Sequence, residues 1–297
     1  MVSQVDLREL SRSGPIHFVG IGGAGMCALA ELVLREGGRV GGCDVKASLV
    51  LEDLRRLGAD IRLGHDPEHV DDASAVVVTS AVPARHPELL RAHERGIPVL
   101  KRAQALGAWV ERGRVLAVAG THGKTTTTAM ATEMLAAAGR DPTGIVGGRV
   151  ASWEGNLRHG SSDLYVVEAD EYDRSFHTLS PHVAVVTNLE ADHLDVYGDL
   201  EGVRIGFRRF LERIRPGGTV VACADDRGAA SLLPGVRVEV ITYGLSAGAR
   251  VRAMDVRLST EGSACWILED GRDAGRLAVP SGGLHNLRNG LGAAVAA

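Results

Sequence analysis

Residues 115–139 read VLAVAGTHGKTTTTAMATEMLAAAG, an apolar run, a turn bracketed by two glycines, and an Ala-rich stretch that stops at a glycine. This order predicts a buried strand over Val115–Ala119 and a helix over Thr125–Ala138. A strand that feeds a helix through a tight glycine turn belongs to a parallel α/β sheet. In such a turn the backbone N–H groups and the positive end of the helix dipole converge on one anion site. Lys124 adds a point charge there, and Thr125 offers a hydroxyl to Mg²⁺. The loop, comprising Gly120, Thr121, His122, Gly123, Lys124, Thr125 and Thr126, therefore suits a triphosphate. It is a short variety of such loops: Val118 stands five residues before Gly123, where the common pattern has glycine, and Gly120 is two positions closer. The chain has just three lysines, Lys46, Lys101 and Lys124, among 33 basic residues, so a lysine in this loop is not a product of composition.

The same alternation runs through the whole chain. IHFVG is followed by a helix over Ala24–Glu36, RVGGCD by a helix over Leu49–Leu57, and AVVVTSAV by a helix near Pro87–Arg95. This is the βαβα rhythm of an α/β fold with a parallel sheet covered on both faces. A polar break at Glu111–Arg114 places a domain boundary, giving a Rossmann-like domain over residues 1–111 and a P-loop-type domain with a mainly parallel sheet over 112–297. Strands are expected at Leu164–Glu168, Val183–Thr187, Thr219–Ala222 and Val238–Tyr243. Ala249–Val279 alternates around EDGRDAG, as antiparallel strands with a turn would. The final GLGAAVAA reads as the inside of a helix with no capping signal, as expected of a piece of a longer protein. Gly290 and Gly292 would each weaken that helix by ~1 kcal/mol, leaving it prone to fraying.

The 297 residues suit two domains of ~150. A net charge of -4 gives no electrostatic footprint for nucleic acid. No apolar run reaches the ~18 residues of a membrane span, and the polar start MVSQVDLREL has no signal-peptide core, so a cytoplasmic protein is expected. Cys27, Cys43, Cys223 and Cys265 have no CxxC spacing, which favours buried, reduced thiols over a zinc site or a disulfide framework.

GIGGAG, from Gly20 to Gly25, follows a strand and precedes a helix, with Asp44 near the expected offset at the end of the next strand. Gly20, Gly22, Gly23, Ala24 and Gly25 would hold a diphosphate against the helix, with the Asp44 carboxylate near a ribose. NAD and a nucleotide diphosphate both fit that motif, and the triphosphate loop in the same chain argues against hydride transfer. Two acidic clusters follow strands of the second domain. Glu168, Asp170, Glu171 and Asp173 lie in EADEYDRSF, and Asn188, Glu190, Asp192 and His193 lie in TNLEADHLD. Hard oxygen ligands beside a phosphate loop fit Mg²⁺, with Glu168 and His193 as first choices. For Asp170, Glu171 and Asp195 a solvated loop charge is an equal alternative. HNLRN puts His285, Asn286 and Asn289 at a helix start, where amides read a base edge or anchor phosphate, and where N-capping alone explains one asparagine.

The order of IHFVGIGGAGM, VTSAVP, GTHGKTTTT, EADEYDRSF, TNLEADHLDVYGD and HNLRN resembles the Mur ligases, in their alanine-adding branch, from about Ile16 to the last residue. The resemblance implies a first domain that binds the UDP part of the substrate through Gly20, Gly22, Gly23, Ala24, Gly25, Asp44 and Ser80. It implies a central ATPase domain in which Lys124 and its loop hold ATP, Glu168 and His193 with Thr125 bind magnesium, and His285, Asn286 and Asn289 line the nucleotide site. The implied reaction transfers the γ-phosphoryl of ATP to the lactyl carboxylate of UDP-N-acetylmuramate and lets the amine of L-alanine displace phosphate, a step of peptidoglycan precursor synthesis. Other Mur ligases use a carbamoylated lysine after the LEADHLD-type motif, and here no lysine follows Lys124. The family's C-terminal domain, which supplies an arginine and an aspartate and helps bind the amino acid, has no counterpart in these residues. Two alternatives stay open: ligation of a recycled peptide to the same sugar nucleotide, and nucleotide binding without catalysis.

Overall fold

The computed structural model describes residues 5–297, which divide into two compact units. The first runs through Arg112 and also takes in Gly147–His159; the second comprises Gly113–Val146 and Gly160–Ala297.

In chain order the first unit contains α1 (Leu7–Ser13), β1 (Ile16–Val19), α2 (Ala24–Arg35), β2 (Val40–Asp44), α3 (Leu49–Arg56), β3 (Asp60–Leu63), β4 (Ala75–Val78), α4 (Pro87–Glu94), β5 (Val99–Lys101) and α5 (Arg102–Val110). The five strands form one parallel sheet in the order β3-β2-β1-β4-β5. All four residues of β1 and of β4 are buried, as continuous apolar runs in a doubly covered parallel sheet should be. The order reverses at β1, which pairs with β2 on one side and β4 on the other. Ligands of open α/β sheets gather outside the carboxyl ends of strands at such a switch point, and GIGGAG lies there.

The second unit opens with β6 (Arg114–Ala119), α6 (Lys124–Ala137) and β7 (Thr143–Val150), whose far end crosses into the first unit with β8 (Gly155–Arg158). It continues through β9 (Leu164–Glu168), β10 (Val183–Val186), α7 (Leu194–Tyr197), α8 (Leu200–Leu211), β11 (Thr219–Cys223), α9 (Arg227–Ala230), β12 (Glu239–Gly244), β13 (Val251–Leu258), β14 (Ser263–Glu269), β15 (Arg272–Val279) and α10 (Leu284–Ala296). The sheet order is β15-β14-β13-β12-β11-β10-β6-β9-β7-β8. β6 lies between β10 and β9, parallel to both, so the loops after all three strands open on the same edge. β13, β14 and β15 pair antiparallel, with the turn at Asp270 and Gly271 as EDGRDAG suggests.

Three expectations need correction. The glycines of α10 do not fray it. A Cβ on Gly290 would lie 2.5 Å from Val279 Cγ2, and one on Gly292 would lie 2.6 Å from Tyr243 Cζ. Their absence lets the helix press onto the sheet, with Leu287, Leu291 and Ala293 fully buried. Neither asparagine caps α10: its N-cap is Gly283, with no side-chain bond. Cys43, Cys223 and Cys265 are buried free thiols, whereas Cys27 is half-exposed. Among the described residues no helix is long and apolar enough to cross a membrane.

Candidate nucleotide and metal site

The turn between β6 and α6 takes backbone conformations that favour glycine, with φ of 146° at Gly120 and 82° at Gly123. A side chain at 120 would collide with Thr187 Oγ1, and a Cβ at 123 would sit 2.6 Å from Asn289 Oδ1. The loop is tied to the residues after β10. Thr187 Oγ1 donates to the His122 carbonyl at 2.8 Å; Asn188 accepts from His122 N at 2.8 Å and donates to His122 O at 2.9 Å. Thr121 Oγ1 accepts from Glu190 N at 2.9 Å. These bonds fix the conformation of the loop. The imidazole of His122 points outward, 66 % exposed, with Glu190 at 3.8 Å.

Lys124 starts α6 and folds back over the loop. Its ammonium donates to Gly120 O at 2.8 Å and to Glu171 Oε1 at 3.0 Å, and lies 2.8 Å from Glu171 Oε2. The two side chains are 13 % and 2 % exposed. Burial pushes the Glu171 carboxyl above its ordinary value, and the neighbouring Lys124 charge offsets part of that rise. Tyr197 donates to the Glu171 carbonyl at 2.7 Å and so positions the acid's backbone. Of the two readings the sequence left open for Glu171, the solvated loop charge does not describe it.

Thr125 Oγ1 donates to Glu168 Oε2 at 2.9 Å, which places the hydroxyl and carboxylate expected of a magnesium site together at the end of β9. Thr126 is half-buried in the following position. A second donor set lies close by: Glu171, Asp192 and His193 each offer an atom within 4.8 Å of the others. His193 adopts φ of 51° and puts Nε2 3.8 Å from Glu171 Oε1, with the Tyr172 ring edge-on at 5.1 Å. Carboxylates, a hydroxyl and one imidazole, partly open to water, fit a hard divalent cation that keeps several waters.

From α10, Asn289 is buried against Gly123, while Asn286 donates to Ser281 Oγ at 2.7 Å and Gly282 O at 2.8 Å and holds the turn before the helix. His285 is exposed at the helix start. Sequence reading missed Asp225, which accepts from Leu245 N at 2.9 Å, Ser246 N at 2.9 Å and Arg288 Nε at 3.1 Å and thereby pins the β12–β13 connection to α10. Burial alone would raise the Asp225 carboxyl, but these donors more than offset it and hold it below the ordinary carboxylate range. A cleft of about 1030 Å³, lined by residues such as Arg208, Leu232 and Glu239, includes none of these residues.

In the first unit, Gly20 N and Ile21 N donate to the Cys43 carbonyl at 2.9 and 3.0 Å, which bends GIGGAG over the end of β2. Asp44 accepts from Gly22 N at 2.9 Å and Lys46 N at 3.3 Å, so its carboxylate braces the loop. Gly23 caps α2, which begins at Ala24, and Asn156 of β8 donates to Ala24 O at 3.3 Å. A Cβ on Gly25 would lie 3.0–3.1 Å from the Arg102 side chain, so a guanidinium stands beside the first turn of α2. That cation, remote in sequence from the glycines, carried no signal. Ser80 is exposed in the turn after β4.

Comparison with known proteins gives the family of the chain. The family described as "Mur ligase family, catalytic domain" matches residues 15–114, and "Mur ligase middle domain" matches residues 118–297. The chain is 45 % identical over 287 residues to UDP-N-acetylmuramate–L-alanine ligase of Acidothermus cellulolyticus, and 42 % over 279 residues to that of Burkholderia cenocepacia. These alignments cover 96 % and 94 % of this chain, which spans 60 % of the length of each relative. Among solved structures, a UDP-N-acetylmuramate:L-alanyl-γ-D-glutamyl-meso-diaminopimelate ligase from Neisseria meningitides superposes with a TM-score of 0.85 at 29 % identity, covering 95 % of this chain and 92 % of that one. UDP-N-acetylmuramate-alanine ligase from Thermotoga maritima gives 0.81 at 30 %, covering 95 % and 64 %. With a glycine turn tied to two acidic strand ends and a glycine loop at a sheet switch point, the chain matches both domain models along almost its whole length and belongs to the Mur ligase family.

Proposed function

We propose that the chain supplies the UDP-sugar-binding and ATP-binding parts of a ligase that joins L-alanine to the lactyl carboxylate of UDP-N-acetylmuramate. The observation that carries this reading is Lys124, held between loop carbonyls and the buried Glu171 beside the Thr125–Glu168 pair. A carboxylate resists attack by an amine because oxide is a poor leaving group. Transfer of the γ-phosphoryl group to it breaks the bond to ADP and forms an acyl phosphate; the amine then adds, and the tetrahedral intermediate expels phosphate. Identity of 42–45 % to alanine-adding relatives supports L-alanine over a recycled peptide as acceptor.

The chain's residues have distinct parts. The backbone donors of Gly120–Gly123 and the start of α6 cradle phosphate oxygens, and Lys124 spreads the charge of the transferring group. Glu168 with Thr125, and His193 with Glu171 and Asp192, are the groups that would hold magnesium. When bound, the ion neutralises phosphate charge. Asn289, set against the loop, and His285 and Asn286 at the start of α10 border the nucleotide. In the first unit Gly20–Gly25 and Arg102 hold the UDP diphosphate, Asp44 keeps the loop in shape, and Ser80 lies on the next strand end.

Calorimetric titration tests the assignment. Lys124→Ala is expected to weaken Mg·ATP binding at least about tenfold, the loss of one hydrogen bond to a charged group. UDP-N-acetylmuramate affinity should stay within about twofold. Equal loss of both ligands in a folded variant, or tight binding of NAD at GIGGAG, refutes the reading.

A further inference from the structure

Six side chains that the ligation does not use converge in the first unit, on the face of its sheet covered by α4. Glu88, in the first turn of α4, is fully buried, and among the described residues no lysine or arginine pairs with it. Its Oε2 lies 3.1 Å from Cys43 Sγ and 3.4 Å from His17 Nε2; its Oε1 lies 3.1 Å from His69 Nδ1 and 3.5 Å from His65 Nδ1. Cys43 Sγ is also 3.1 Å from His65 Nδ1, and His86 stands edge-on to His65 with ring centres 4.5 Å apart. His17 is 3 % exposed and its Nε2 has no hydrogen-bond partner of good geometry.

A buried carboxylate needs a compensating cation, and a buried ring nitrogen needs a partner. One ion at the centre of this group would satisfy both. Thiolate, imidazole and carboxylate together are the ligand set of tetrahedral zinc, whose 2.0–2.3 Å bonds put neighbouring donor atoms roughly 3.3–3.8 Å apart. The donor atoms of His17, Cys43 and Glu88 all lie within 4.8 Å of one another, and His65 Nδ1 adjoins Cys43 Sγ at 3.1 Å. Side-chain shifts of about 1 Å would draw them to tetrahedral spacing. A cleft of about 440 Å³ lined by Pro15, Gly41, Arg62 and Glu68 borders the cluster at His17 and His69, the side from which an ion would enter.

We propose that His17, Cys43 and Glu88, with His65 as fourth ligand, form a binding site for a Zn²⁺-type transition-metal ion. Binding exchanges the Cys43 S–H bond for a sulfur–metal bond and releases that proton to solvent. The ion would tie β1, β2, the segment after β3 and α4 together. It would also brace the strand end whose Cys43 carbonyl receives the N–H groups of Gly20 and Ile21.

Cobalt(II) titration of the chelator-stripped chain tests this. A thiolate-to-cobalt charge-transfer band with intense four-coordinate visible bands is expected, saturating at one ion per chain and bleached by Zn²⁺. The centre formed by Glu171, Asp192 and His193 contains no sulfur and cannot give the charge-transfer band. Cys43→Ser should abolish it, and His65→Gln should weaken cobalt binding more than about tenfold. Absence of the band from the unmodified chain overturns the proposal, as does a band that survives Cys43→Ser. Should Cys43→Ser not fold, unchanged cobalt affinity in His65→Gln overturns it instead.

Discussion

Removing Lys124 should damage the fold as well as nucleotide binding, and the size of that damage can be worked from the geometry. An exposed ion pair contributes about 0–1 kcal/mol, whereas removing one partner of a buried pair costs about 3–5 kcal/mol because the other charge is stranded. With Lys124 13 % and Glu171 2 % exposed at 2.8 Å, the pair belongs to the second regime. The small exposure of the lysine end favours the lower limit, so Lys124→Ala should destabilise the second unit by about 3 kcal/mol. Glu171→Gln alone keeps an acceptor for Lys124 and strands no buried anion, and should cost about 1 kcal/mol. In Lys124→Ala/Glu171→Gln the stranded charge is gone, so the double variant should be more stable than Lys124→Ala by about 2 kcal/mol. Urea unfolding followed by circular dichroism, with all four proteins at one pH and no nucleotide, gives the coupling directly. If Lys124→Ala lies within about 1 kcal/mol of the unmodified chain, or the second substitution fails to restore stability, the pair is not buried as described. The same comparison is needed before any loss of ATP binding in Lys124→Ala is credited to a missing phosphate contact.

Gly292→Ala gains about 1 kcal/mol of helix propensity but forces a Cβ to 2.6 Å from the rigid, buried Tyr243 ring, an overpacking cost of about 1–3 kcal/mol. Net destabilisation is expected in thermal melts, and a stabilised variant would show that α10 is loosely seated. Asp225 has a depressed folded-state carboxyl, so its stabilising contribution is present above the ordinary aspartate value of 3.8 and lost as pH falls through the lower folded value. Asp225→Asn should therefore be less stable than the unmodified chain at pH 6 and converge with it on acidification; a constant difference across that range would contradict the assignment.

Local signals made much of this architecture legible. β6 and α6 were readable because an apolar run, two glycines and an Ala-rich stretch are contiguous, and β15 because its turn residues are. β3 was not: in DIRL only Ile61 is buried, and such a short strand carries no periodicity. β5, with three residues, is shorter still. Thr125 and Glu168 meet, with Lys124 beside them, since their motifs follow β6 and β9, adjacent parallel strands of one sheet. Glu171 was undervalued because burial of a loop carboxylate depends on Lys124 and Tyr197 arriving from other elements. Asp44 sits at the offset of a ribose-binding acid, and its carboxylate also accepts from Gly22 N and Lys46 N, a backbone arrangement that composition does not encode. The donors around Glu88 are scattered from position 17 to position 88, so no spacing announces them.

The first unit is discontinuous, since Gly147–His159 belongs to it although Gly113–Val146 intervenes. During synthesis, α2 emerges from the ribosome long before β8, whose Asn156 donates to the Ala24 carbonyl. The first unit therefore cannot complete its packing until β6 and α6 of the second have also been made. Returning the chain across that excursion costs about 3 kcal/mol of closure entropy by the logarithmic loop law, and the contacts made by β8 on α2 must offset it. A gene fragment cut at Arg112 would consequently encode an unfinished domain, with the flank of α2 beside the glycine loop left bare.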